Sequence, residues 1–272
     1  MKRIVASIAK YGYLGLILLF LYAPIFVLAF FSFSNSKSRA VWGGFTFKWY
    51  ERLFHNAEIM SALQTTLLVA VLASVIATIV GTLAAIGLYG MKRGTRTLVL
   101  NVTYLPVINP DIVTGVSLMI LFIFMQLKLT FFTMLMAHLV FDIPYVILAV
   151  MPRLTRLDKN VYEAALDLGA TPGYALRKVL IPEIMPGVIT GLILAFTLSI
   201  DDFVISYFTS TDVQNLSMYI YAQAKRGINP SMYALTTLMF VTVLTLLIIV
   251  KVRTERAAQK AEAKLRENRS FL

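Results

Sequence analysis

The 272-residue chain has no cysteine and only two histidines, His55 and His138. Without thiols there is no disulfide, no thiolate metal site and no cysteine nucleophile, and two isolated imidazoles do not make a histidine-rich metal centre. No G-x-x-x-x-G-K-[ST] run occurs, so the phosphate-cradling loop of ATP-hydrolysing proteins is missing. Acidic residues are scarce, 14 against 25 Lys and Arg, and charged residues make up only 14% of the chain. Apolar residues take their place. A hydrophobic content of 58% and a mean hydropathy of +0.77 stand well above the roughly 45–50% apolar content of soluble domains. The chain reads as an all-α, polytopic membrane protein forming a single transmembrane domain over 1–272, with no catalytic and no metal-binding residue expected.

Six apolar runs, 11–33, 60–88, 98–125, 131–150, 188–208 and 233–250, are long enough to cross a bilayer, for which about twenty residues suffice. The first follows Lys2, Arg3 and Lys10 but lacks a small-x-small cleavage site, so a retained anchor is expected rather than a signal peptide. With the N-terminus inside, 18 of the 25 Lys and Arg residues fall on the cytosolic side and 7 outside. That bias places both termini in the cytosol and assigns the +11 net charge to topology rather than to nucleic acid. The tail over 251–272 alternates Glu255, Arg256, Lys260, Glu262, Lys264, Arg266 and Glu267, as a solvated helix does. In the second run Ala73, Ala77, Gly81 and Ala85 recur every four residues, a bare face against which another helix of the chain is expected to pack.

Acids inside these runs are costly, which makes them candidates for function. Asp111 follows Pro106 and Pro110 in YLPVINPDIVTG, where two prolines are expected to kink the helix and expose carbonyls. Asp201 and Asp202 lie in TLSIDDFVISYF. Asp111 and Asp201 each stand about fourteen residues beyond the cytosolic start of their runs, roughly 21 Å at helical rise. Both are thus expected to line one cavity, with Tyr104, Phe203 and Tyr207 offering aromatic faces nearby. A carboxylate beside an aromatic face suits an alkylammonium cation. The competing reading is that these acids cap broken helices, Asp111 just after Pro110 being well placed to do so; Asp202 is counted with the pathway acids, but it points about 100° around the helix from Asp201, with a structural partner as its alternative role. His138 and Asp142 share a helix face before Pro144, as a structural hydrogen bond or as the proton relay of a proton-coupled carrier. Between the first two runs Trp42, Phe45, Phe47, Trp49, Tyr50 and Phe54 form an aromatic cluster of the kind found at membrane interfaces.

The polar stretch from Asn160 to Pro186, NVYEAALDLGATPGYALRKVLIPEIMP, separates the fourth and fifth runs. Asn160 with Glu163 has the form of an N-terminal capping box, Gly169 is a natural helix stop, and Thr171-Pro172 starts a second helix. Pro182 and Pro186 are expected to close the segment. Two short helices joined by a tight turn make a docking surface in which Ala164 and Ala165 admit a close partner.

The run EAALDLGA with its downstream Pro182 resembles the EAA loop of bacterial ABC importer permeases, matching at Glu163, Ala164, Ala165, Gly169 and Pro182. The W-x-GFT-x-x-WY pattern, PDIVTGVSL and FTLSIDD resemble the spermidine/putrescine branch of that family, in particular its C-type subunit, over nearly the whole chain. Asp142 has no counterpart in that pattern. The resemblance implies the type I ABC importer permease fold with six transmembrane helices and a cytosolic coupling loop over 159–186. It implies a subunit of the cell membrane that moves polyamines inward. The implied partners are a second permease subunit, two ATPase subunits carrying ATP and Mg, and an external polyamine-binding protein, with no cofactor on this chain. Related importers of another small solute, or a proton-coupled carrier using His138 and Asp142, are the alternatives. Duplicated inverted halves, which would favour a carrier, are not seen.

Overall fold

The computed structural model describes residues 2–36, 41–157, 159–227 and 229–245, together with 248 and 252, and the side chains of all of these except 2–10 and 159–161. The charged tail and the Asn160 side chain of the expected capping box lie outside the described residues. In chain order the helices are α1 (Lys2–Phe31), α2 (Lys48–Phe54), α3 (Ala57–Gly90), α4 (Arg93–Ile108), α5 (Asp111–Phe124), α6 (Phe131–Arg156), α7 (Lys159–Asp167), α8 (Pro172–Ala175), α9 (Ile181–Asp201), α10 (Val204–Thr209), α11 (Leu216–Arg226) and α12 (Pro230–Thr245). Two units divide the chain, Met1–Asn56 with Gln223–Leu272, and Ala57–Ala222.

In the second unit α3, α6 and α9 pack against one another. Between apolar helices in lipid the attraction is van der Waals contact rather than the hydrophobic effect, so small residues that admit close approach set the geometry. Ala73, Ala77, Gly81 and Ala85 are all buried, as the four-residue repeat predicts. Val146 of α6 is held between two glycines: a Cβ at Gly81 would meet its side chain at 2.8 Å, and one at Gly191 would meet it at 3.2 Å. Gly81→Leu is therefore expected to force α3 from α6 at a cost of about 1–3 kcal/mol, visible as a lower thermal unfolding midpoint of the purified protein. An unchanged midpoint would mean that the contact is slack.

Among the described residues four helices, Tyr11–Phe31, Ala57–Gly90, Phe131–Arg156 and Pro172–Asp201, have the length and hydropathy of a membrane crossing. The third expected span departs from a kinked helix: α4 and α5 meet at 103°. Asn109 and Pro110 both adopt extended backbone, with ψ of 141° and 136°. Steric clash with the proline ring drives the preceding residue out of the helical region, which ends α4 where a kink was expected. The described part of the sixth run, α12, is a shorter apolar helix.

The fifth span is displaced at both ends. Pro182 and Pro186 do not close the polar segment; they lie within α9, which continues from α8 through a π-turn at Leu176–Leu180. There the Ile181 N–H bonds five residues back to Leu176. The wider turn relieves the clash a proline ring makes with the carbonyl four residues before it. At the other end the helix stops at Asp201 and resumes as α10, where a continuous run to Phe208 was expected.

In the first unit the aromatic segment folds on itself. Ser34 pairs with Phe45 in an antiparallel bridge, and Phe33 stacks between Phe45 and Tyr50 at 5.5 and 5.2 Å. Trp49 is buried with its indole N–H donating to the Ser34 carbonyl at 2.6 Å, while Phe45 and Phe47 stay exposed.

Candidate functional site

Two helix breaks carry the acids. Asp111 opens the first turn of α5 after Pro110; it is exposed, and its charge complements the helix dipole there. Gly115, one turn on, packs against Ile205 and Phe208 of α10, where a Cβ would meet the Phe208 ring at 3.2 Å. Asp201 ends α9, also exposed. The packed α5–α10 pair thus lies beside both breaks. Phe203 and Tyr207 contact each other at 5.3 Å between ring centroids. Tyr221 of α11 joins them at 4.6 Å from Phe203 and 6.1 Å from Tyr207. It lies outside the FTLSIDD run, and helix packing alone brings it in. Tyr104 sits on α4, beyond the 103° bend, and makes no ring contact with this cluster.

Asp202 faces the other way. Its carboxylate accepts from the backbone N–H groups of Ile205 and Ser206, at 3.2 and 2.8 Å, and from the Ser206 hydroxyl at 2.8 Å. Standing one residue before the N-cap position, Phe203, it satisfies the first free N–H groups of α10 in place of a cap side chain, and its own side chain is only 7% exposed. Loss of such capping bonds costs about 0.5–2 kcal/mol.

His138 and Asp142 do not bond to each other directly. Ser199 of α9 stands between them, 3.0 Å from His138 Nδ1 and donating to Asp142 Oδ2 at 2.7 Å. On the other side of the imidazole, Nε2 lies 2.9 Å from the Ser206 hydroxyl and 3.5 Å from Asp202 Oδ2. Asn215 donates to both the Ser206 hydroxyl and the Asp202 carbonyl, at 2.8 and 2.7 Å. This polar knot is buried, with His138 1% and Asp142 0% exposed. Ser199, Ser206 and Asn215 carry no sequence signal of their own; the shared helix face of His138 and Asp142 pointed only to a hydrogen bond between those two.

The segment over 159–186 turns as its Gly169 and Thr171-Pro172 signals predict, but α7 starts at Lys159, ahead of the expected Asn160 cap, and the second helix runs on into α9 instead of ending as a short one. Gly169 has φ +87°, its N–H bonds the Leu166 carbonyl at 2.9 Å, and the Ala170 N–H bonds the Ala165 carbonyl at 3.1 Å. These two bonds make a Schellman stop for α7. Thr171 caps α8 by accepting from the Tyr174 N–H, with Pro172 at the first position. Ala165, Leu168, Gly169, Ala170, Thr171 and Tyr174 line an open groove of about 530 Å³. Glu163, Ala164 and Pro182 are exposed, and Leu168 is 89% exposed, an apolar tip that a folded partner would cover.

Long apolar helices, acids at two breaks and a capped polar turn between them define a membrane transport subunit. The chain belongs to the family of binding-protein-dependent transport system inner membrane components, whose model matches residues 77–259. It is 36% identical over 245 residues to the spermidine/putrescine transport system permease protein PotC of Escherichia coli, covering 90% of this chain and 93% of that one. It is 38% identical over 229 residues to the putrescine transport system permease protein PotI of the same organism, covering 81% of each. Its fold matches a chain of a bacterial ABC transporter that imports alginate, with a TM-score of 0.75 at 16% identity over 92% of this chain and 97% of that one. The chain thus has the type I importer permease fold and is a permease subunit of the inner membrane, one that works with a binding protein.

Proposed function

We propose that this chain passes polyamines inward as one of two permease subunits, driven by ATP hydrolysed on two separate subunits and supplied by an external polyamine-binding protein. The observation that carries the substrate is the exposed Asp201 carboxylate at the end of α9, two residues from a three-ring cluster of Phe203, Tyr207 and Tyr221. A polyamine is a flexible chain of ammonium groups joined by methylenes. The acid meets one ammonium, a ring face attracts another by cation–π contact, and the rings cover the apolar methylenes between them. Asp111 at the α5 break offers a second point, and Tyr104 a further aromatic face along the way. Glu163, Ala164, Ala165, Gly169 and Pro182 form the seat for the ATPase, whose bound ATP and Mg drive the cycle. Both termini lie in the cytosol on the charge distribution of the sequence.

The test is uptake of labelled spermidine or putrescine into vesicles carrying the complete complex. Uptake that requires ATP and the ATPase subunits, and that unlabelled polyamine competes away, is the expected result. Uptake by this chain without the ATPase would replace the reading with a carrier. Full activity toward another solute and none toward polyamines would replace the substrate.

A further inference from the structure

The buried knot has a proton count that its geometry dictates. Asp142, Ser199, His138, Ser206 and Asp202 form a line of five side chains joined by four contacts of 2.7, 3.0, 2.9 and 2.8 Å. Each contact needs one proton between its two atoms. As two carboxylates, two hydroxyls and a neutral imidazole, the five groups supply three: one from each serine and one from the ring. We propose that these side chains form a clasp that closes by binding one additional proton, joining α6 to the end of α9 and the start of α10.

The Asp202 end is fixed. Its two oxygens accept from backbone N–H groups, and Ser206 already accepts from Asn215, so the Ser206 hydroxyl donates to Asp202 and accepts from His138 Nε2. The ring then donates at Nε2 whatever its charge. The extra proton resides at the other end, either on His138 Nδ1 with Ser199 donating to Asp142, or on Asp142 Oδ2 with Ser199 donating to Nδ1. The two forms interconvert by shifting two protons across one serine, and the clasp has a net charge of −1 in both. Asp142 Oδ1 is buried and has no hydrogen-bond partner, and a neutral acid tolerates that better than a carboxylate does.

Around the clasp α9 carries the exposed Asp201 beside Asp202, α10 carries Tyr207, and α11 carries Tyr219 and Tyr221. α3 has none between Glu58 and Tyr89, α5 only Asp111, and on α6 Tyr145 lies within electrostatic reach of Asp111 and Asp142. When the proton leaves to water, one of the four contacts loses its donor and a second negative charge stays buried. The segment bearing Phe203 and Tyr207 is then held to α6 less firmly. These are positioning residues; none of them is placed in contact with substrate.

His55→Asn leaves His138 as the chain's sole histidine. Nitrogen-15 spectra of the labelled full-length chain in lipid nanodiscs then report its ring directly, and this readout does not depend on what the protein transports. One titration step is expected as the pH rises, read in the nitrogen-15 spectrum as loss of the Nδ1 proton where the ring holds it and in the carbon-13 spectrum of the Asp142 carboxyl where the acid holds it. In Asp142→Asn the amide donates to Ser199, which donates to Nδ1, so all four contacts close with no added proton. The step should vanish, leaving the neutral ring protonated at Nε2. Asp202→Asn should keep the step, because the cap requires an oxygen facing the Ser206 N–H. The same step in all three proteins, or no step at either the His138 ring or the Asp142 carboxyl in the His55→Asn protein, overturns the proposal. So does a step that vanishes in Asp202→Asn and survives in Asp142→Asn.

Discussion

Replacing Asp111 and Asp201 together by asparagine is expected to leave folding and assembly unchanged and to abolish most polyamine uptake. Neither carboxylate is used in a cap: α5 starts without a side-chain cap bond, and the first free N–H groups of α10 are satisfied by Asp202. The amide keeps the shape and removes the charge. Hydrogen bonds to charged groups are worth about 1.5–3 kcal/mol each, so each acid lost lowers turnover roughly tenfold or more if its contact strengthens during passage. Affinity should fall less than throughput, because a passage that grips its cargo tightly does not release it. Asp202→Ala should behave differently, losing thermal stability along with uptake because a helix loses its cap. The measurement is uptake of labelled spermidine into vesicles holding the full complex, beside an unfolding curve for each variant. Undiminished uptake by the double asparagine variant would leave Asp111 and Asp201 as surface acids at helix ends.

The features legible in the sequence were those set by local chemistry. Thr171-Pro172 and Gly169 define their caps within a few residues, and both appear where the rules of helix ends place them. The bare face of α3 was readable because helical periodicity alone puts Ala73, Ala77, Gly81 and Ala85 in line. The difference between Asp201 and Asp202 followed from the angle between adjacent residues. What escaped depended on tertiary context. Pro110 announced a disturbance, but its size depends on the packing of α5 against α10, and the 103° turn exceeds what one proline imposes on an isolated helix. Pro182 looked like a terminator because the π-turn that accommodates it leaves no mark in composition. Ser199 and Ser206 are ordinary small polar residues until His138, 61 and 68 positions away, is folded between them. Tyr221 likewise reaches Phe203 only through the packing of α11.

Gly169→Val is expected to uncouple ATP hydrolysis from transport. The residue sits at φ +87°, and a Cβ built there meets no atom within 4 Å. The penalty is therefore conformational rather than steric, about 1–2 kcal/mol for a side chain forced into the left-handed region. That is enough to displace the Schellman stop, and with it the angle between α7 and α8 and the groove beneath Leu168. Asparagine tolerates left-handed backbone better than valine does, so Gly169→Asn should fall between wild type and Gly169→Val. Glu163→Ala supplies the complementary test. Glu163 is exposed, so its removal should cost the chain itself no more than the expected cap, about 0.5–2 kcal/mol; a fall in coupled uptake at full assembly then arises at the partner's surface. Uptake and ATP hydrolysis measured together in vesicles give polyamine moved per ATP consumed, a ratio that a mere loss of protein does not change. It should drop in Gly169→Val and, to a lesser degree, in Glu163→Ala. If both variants assemble and keep the wild-type ratio, the segment 159–186 is a surface helical turn and the ATPase docks elsewhere.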